Sequence, residues 1–347
     1  MKDIKLMQLT CDEYLPVICG NAWVANRFVN MMKDQNRKSI VVVDNKRDRP
    51  IYTKYEGTEV FNAPGNDATV KLSIDSIVKE RDINAILVHG HNYPRFEKIL
   101  KAAEYKDTLK IIVSHFLFND VKEQIKNYDG IITFQKSQYD IYKQDIPEDK
   151  LILSPHPIDT SLLYEDKSIE RISRSFLYVG RVHPIKGVHK LIPYLDQLDA
   201  TYTIMGPITD DYKSQLLDLA ELYDVVERIN ILPATLDKNI LREQFNKHEI
   251  FFLASESDCY SLVLTEALAC GMQAIVRHID NAFEWTEGHI HEFKNTNDME
   301  ELLFKLINKE VEYYDTATFM KETYNYEMIS KKFQKDLERM FDNKMKE

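Results

Sequence analysis

The run Phe251–Gly271, FFLASESDCYSLVLTEALACG, constrains the fold of this 347-residue chain more than any other stretch. It opens on apolar Phe251, Phe252 and Leu253, the pattern of a short buried strand. A polar turn follows at Ser255–Asp258, and then an apolar run, Leu262–Cys270, stopped by Gly271, which suits a helix C-terminal cap. A strand that feeds a helix through such a turn is the unit of an open α/β sheet, where ligands bind at the carboxyl ends of the strands. Within the apolar run stands one charge, Glu266. A carboxylate buried there must pair with a Lys or Arg, or serve a ligand, because burial without a partner costs roughly several kcal/mol.

The rest of the chain repeats that unit. In the first half, strands are predicted at Ser39–Val43, Ala85–Val88, Lys110–Val113, Gly130–Thr133 and Leu151–Leu153. Helices are predicted at Ala22–Gln35, Val70–Arg81, Pro94–Glu104, Phe118–Asn127 and Gln138–Gln144. In the second half, Ser175–Val179, Thr201–Met205, Arg228–Leu232 and Gln273–Arg277 read as strands. Tyr212–Leu222, Lys238–Asn246, Asp298–Ile307 and Tyr326–Phe341 read as helices. Such alternation predicts parallel sheets, and the length suits two domains. Pro155 and Pro157 favour an extended connection, and apolar periodicity is lost over Thr160–Arg174. The domains expected are therefore 1–165 and 166–325, with a closing helical segment at 326–347.

The net charge of −11 narrows the partners. Residues 1–165 carry 23 Lys and Arg against 24 Asp and Glu, so nearly all the excess acid lies in the second half. No basic run is present, which argues against sequence-independent nucleic-acid binding and against strong adhesion to anionic lipid. No segment approaches 18 consecutive apolar residues, and MKDIKLMQLTCDEYL has no signal-peptide core. The four cysteines, Cys11, Cys19, Cys259 and Cys270, form no C-x-x-C pair and are expected to be reduced thiols. A cytoplasmic protein is expected, with room for a peripheral contact at the inner face of the membrane.

Charged and polar residues collect where the strands end. Gly180-Arg181 closes Ser175–Val179, and Lys186-Gly187 follows. Arg181 offers a bidentate fork and Lys186 a point charge, the pair that suits an anionic ligand. The helix beginning near Ser261 adds free backbone N–H groups at Ser261 and Leu262. His89, His91 and His115 follow strands in the first half, but no carboxylate stands beside them at a ligand spacing, so no metal site is expected. Neither a G-x-G-x-x-G nor a Walker sequence occurs.

These motifs resemble those of glycosyltransferase family 4, the retaining GT-B enzymes. The family's signature helix is written E-x7-E followed by A-x-A-C-G. Here Glu266 is the second Glu, Ala267-Leu268-Ala269-Cys270-Gly271 is the tail, and Asp258 stands where the first Glu is usual. Gly180–Gly187, GRVHPIKG, resembles the family's G-R-x-x-x-x-K-G with every marked residue present. Asn21 and the pair Asn281-Ala282 occupy places where glycines are usual.

The resemblance implies an α/β GT-B fold, two Rossmann-like β/α/β domains facing each other across a cleft. The first would be the acceptor side and the second the nucleotide-sugar side, with the last helix crossing back to the first. It implies retaining transfer of a hexosyl unit from a UDP- or GDP-sugar to a glycan, lipid-linked or other hydroxyl acceptor, in surface polysaccharide or glycoconjugate synthesis. By resemblance the catalytic residues are His115, Asp258, Arg181 and Lys186. The donor site adds Gly180, Gly206, Tyr260, Ser261, Leu262 and Glu266, and the acceptor side Gly20, Asn21 and His91. No cofactor and no metal are implied. A nucleotide-sugar epimerase or phosphorylase of the same fold, and a non-catalytic GT-B scaffold, are the rival readings.

Overall fold

A computed structural model describes residues 3–10, 20–33, 37, 39–43, 51–63, 65–89, 96, 98–100, 105, 107–115 and 121–346. The chain divides into two compact units, Met1–Pro157 with Glu327–Glu347, and Ile158–Tyr326.

The first unit runs β1 (Leu6–Thr10), α1 (Gly20–Lys33), β2 (Ser39–Val43), β3 (Tyr52–Tyr55), β4 (Thr58–Asn62), α2 (Asp67–Arg81) and β5 (Ala85–His89). It continues through β6 (Leu109–Val113), α3 (Val121–Ile125), β7 (Gly130–Thr133), α4 (Lys136–Tyr142) and β8 (Leu151–Leu153). The strand order is β3-β4-β2-β1-β5-β6-β7-β8, parallel throughout except for the β3–β4 hairpin. Side chains alternate between the two faces. Ile40 and Val42 of β2 join one apolar cluster, while Val41 and Val43 join the cluster under α1. Helices cover both faces, so β1, β2 and β5 are buried along their whole length, as parallel strands require.

The last helix belongs to this unit. Phe333 of α10 (Tyr326–Lys344) packs its ring 5.0 Å from Phe28 of α1. Lys332 and Arg339 donate to the carbonyls of Leu153 and Leu151 at 3.0 and 3.1 Å, capping the edge strand β8. Arg37, almost fully buried, forms an ion pair with Glu338. No described helix is long and apolar enough to cross a membrane.

The second unit holds β9 (Ile172–Val179), β10 (Thr201–Met205), α5 (Asp210–Leu222), β11 (Ile229–Leu232), α6 (Lys238–Lys247), β12 (His248–Leu253) and α7 (Leu262–Ala269). After these come β13 (Gln273–Arg277), β14 (His291–Phe293), α8 (Thr296–Ile307) and α9 (Thr316–Thr323). Six parallel strands take the order β11-β10-β9-β12-β13-β14. From β9 the chain moves outward through β10 and β11, then returns to place β12 on the other side of β9. The reversal of strand order therefore falls between β9 and β12, and in such sheets this is where a crevice opens at the carboxyl ends. The β9–β10 crossover is a 3-10 segment, Val188–Tyr194, because Pro193 cannot donate inside an α-helix.

Candidate active site

The loops at the reversal are held together by three kinds of contact. The backbone N–H of Glu256 donates to the Ile185 carbonyl at 2.8 Å. Gly187, at φ +67°, lies so close to Ala254 that a Cβ there would come within 2.3 Å of the Ala254 carbonyl. Lys186 Nζ lies 2.9 Å from Asp258 Oδ2, and both side chains are largely buried. The ammonium is thereby fixed at the end of β9 by a carboxylate from the loop after β12.

Arg181 is exposed and has no ion-pair partner among the described residues. Its backbone is nonetheless fixed, since its carbonyl accepts from the Tyr178 hydroxyl at 2.8 Å. Burial, and then the charge of Asp258, push the Tyr178 phenol above its ordinary range, so it acts there as a donor. Gly206 ends β10 at φ +152°, and a Cβ on it would stand 1.8 Å from the Gly180 carbonyl. These two strand ends touch backbone to backbone.

Ser261 is the N-cap of α7, and its hydroxyl accepts from the Leu264 amide at 3.3 Å. Leu262 is the first helical residue. Tyr260 is buried and its ring stacks on Trp285 at 4.9 Å. Burial raises the Cys259 thiol to about 11, with Asp258 adding to the shift. Cys259 and Cys270 are free thiols, while Cys11 and Cys19 lie outside the described residues.

Glu266 has a cationic partner. Its Oε1 accepts from Lys238 Nζ at 2.7 Å, a pair that bridges α7 and the start of α6. Lys238 was not among the sequence candidates, and nothing in the spacing of 28 residues links it to Glu266. Lys190 and Arg277 were missed for the same reason. They approach Glu256 at 3.1 and 3.9 Å and place two more cations around the carboxyl edge.

In the first unit, Gly20 and Asn21 open α1, while His91 and the Asn21 side chain lie outside the described residues. His115 follows β6 and is 8% exposed. Its Nε2 lies 3.3 Å from Nδ1 of His89, whose Nε2 is 2.8 Å from Gln8 Oε1. Phe134 packs beside His115 at 5.6 Å and stacks on His156 at 4.0 Å. Burial holds His89 and His156 well below the ordinary imidazole range, and neighbouring cationic forms would oppose their protonation further. No group of three ligating side chains among the described residues is arranged to hold a metal.

Residues 165–323 match the family described as Glycosyl transferases group 1. No curated protein matches the chain by sequence. Among solved structures, sucrose-phosphate synthase from Thermosynechococcus elongatus superposes with a TM-score of 0.78 at 11% identity, covering 98% of this chain and 100% of that one. Anabaena HepE in complex with UDP and glucose gives 0.74 at 12% identity, over 96% and 99%. The lipopolysaccharide outer core galactosyltransferase WaaB gives 0.70 at 14%, also over 96% and 99%. The two parallel-sheet domains are those of the GT-B fold.

Proposed function

We propose that this chain, which carries a glycosyl transferases group 1 domain at residues 165–323 within a GT-B fold, is a retaining hexosyltransferase that uses a nucleotide sugar. The observation that carries the reading is the pair of cations at the reversal between β9 and β12. Lys186 is clamped by Asp258 at 2.9 Å, and Arg181 is left unpaired among the described residues beside it.

A leaving nucleoside diphosphate gains negative charge as the bond to the sugar breaks. Fixed cations stabilise that charge without reorganising at the moment of reaction. Arg181, Lys186 and the first amides of α7 supply this role, in place of a metal. Asp258 faces the sugar while orienting Lys186, and Glu266, held by Lys238, accepts from the ribose hydroxyls. We assign no carboxylate the part of covalent nucleophile. The bond from the anomeric carbon to the phosphate oxygen breaks, the acceptor oxygen bonds that carbon on the same face, and its proton passes to the departing diphosphate. The acceptor is a hydroxyl of a glycan, a lipid-linked sugar or another alcohol, approached by His115, Gly20, Asn21 and His91 of the first unit. Surface polysaccharide or glycoconjugate synthesis in the cytoplasm is the setting that suits such an acceptor.

A thermal-shift panel of UDP, GDP, ADP and their sugar conjugates tests this. One nucleotide class should raise Tm by mass action, with the shift undiminished in EDTA. Lys186→Ala should weaken that ligand about 10- to 100-fold, the worth of a hydrogen bond to a charged group. A panel with no response, or an affinity indifferent to Lys186, would reject the assignment.

A further inference from the structure

Three side chains of the first unit make a directional chain, Gln8–His89–His115, running from the middle of β1 through the end of β5 to the residues after β6. Gln8 is fully buried, and His89 is 1% exposed. The Gln8 amide nitrogen lies 3.1 Å from the Ala25 carbonyl and 3.1 Å from Ser39 Oγ. A carbonyl only accepts, so that end of the amide is the NH2 and the other end is the acceptor oxygen. That oxygen stands 2.8 Å from His89 Nε2, which must therefore carry a proton.

His89 is neutral at ordinary pH, because burial opposes its charged form and His115 adds to that opposition. A neutral imidazole protonated at Nε2 has a lone pair at Nδ1. His89 Nδ1 faces His115 Nε2 at 3.3 Å, and two lone pairs at that distance would repel. His115 Nε2 must then be the donor. We infer that Gln8 and His89 are positioning residues that fix His115 in its Nε2–H tautomer, with Nδ1 unprotonated. Neither touches substrate; each acts through the ring that follows it. The consequence for transfer rests on the reading of His115 as the acceptor-facing group, whose tautomer is then set from behind by Gln8 and His89.

Long-range proton–nitrogen NMR of the full-length, nitrogen-15-labelled chain at pH 7.5 reads each tautomer directly. The result expected is Nε2–H on both His89 and His115, with both Nδ1 atoms at the unprotonated position. An Nδ1–H tautomer on His115, or a cationic His89, overturns the relay, and this spectrum decides without any variant. Gln8→Leu removes the acceptor that starts the chain, so the His115 tautomer ratio should move by about fivefold, the population equivalent of one net hydrogen bond. An unchanged ratio in that variant overturns the role of Gln8. The nucleotide-sugar transfer rate is measured alongside. A wild-type chain with the expected tautomers but no transfer would count against the proposed function and leave the relay standing.

Discussion

Glu266 and Lys238 show why a charge can sit in an apolar helix. Each is largely buried, at 13% and 25% exposure, so each has given up much of its hydration and depends on the other. A double-mutant cycle on Glu266→Gln and Lys238→Met should return a coupling of about 1–2 kcal/mol by urea unfolding, above what a surface pair gives. A coupling near zero would mean that the pair is replaced by water. His291 is a titrating group of a different kind. It ends its ring on a buried Nε2 that has no hydrogen-bond partner among the described residues, it stacks on Tyr314 at 4.9 Å, and burial lowers its pKa to about 4. Folded, His291 stays neutral, whereas the unfolded chain takes up the proton near pH 6.5. The stability it confers is therefore complete above pH 6.5 and is lost as pH falls toward 4. Between pH 7.5 and 5 the wild type should lose about 2 kcal/mol more than His291→Phe, measured by urea midpoints at the two pH values.

At the scale of elements, the strand ends decide the site, and Gly206 is the sharpest test of that. Its φ of +152° is a glycine conformation, and its missing Cβ is what admits the Gly180 carbonyl. Gly206→Ala should destabilise the second unit by about 2–4 kcal/mol and weaken nucleotide binding, as read by calorimetry with and without ligand. Elements with a strong period were legible in sequence. The strands Gly130–Thr133, Leu151–Leu153, Thr201–Met205 and Gln273–Arg277 have the bounds their apolar runs predict. Those that carry polar residues were not. The buried β1 includes Gln8 and Thr10 within a run broken by Lys2, Asp3 and Lys5, and a hydrophobic pattern cannot mark it. The half-exposed β3–β4 hairpin turns through Glu56 and Gly57 at the sheet edge and escapes for the same reason. In the candidate site, Arg181, Lys186, Asp258 and Glu266 stand out in sequence because they sit in local motifs. Lys238, Lys190 and Gln8 do not, since their contacts depend on which strand returns beside which. The helix predicted at Pro94–Glu104 falls largely outside the described residues.

For the molecule as a whole, the second unit is one continuous stretch of chain, whereas the first joins Met1–Pro157 to Glu327–Glu347. Phe333 is 1% exposed, and its ring meets Phe28 and so ties α10 to α1. Gly130 of β7 lies directly under Met340, where a Cβ would come within 2.7 Å of the sulfur. The last helix is thus a part of the first unit's core, and its removal would expose apolar surface on α1 and β7 together. Phe333→Ala should cost about 3–5 kcal/mol, the range for a phenylalanine truncated in a packed core. Scanning calorimetry with and without the donor nucleotide separates the units. The transition that Phe333→Ala lowers should be the one the nucleotide does not raise, because the nucleotide is assigned to the second unit. If a single transition answers to both the substitution and the ligand, the two units unfold as one, and the last helix then stabilises the donor site as well as the sheet it covers.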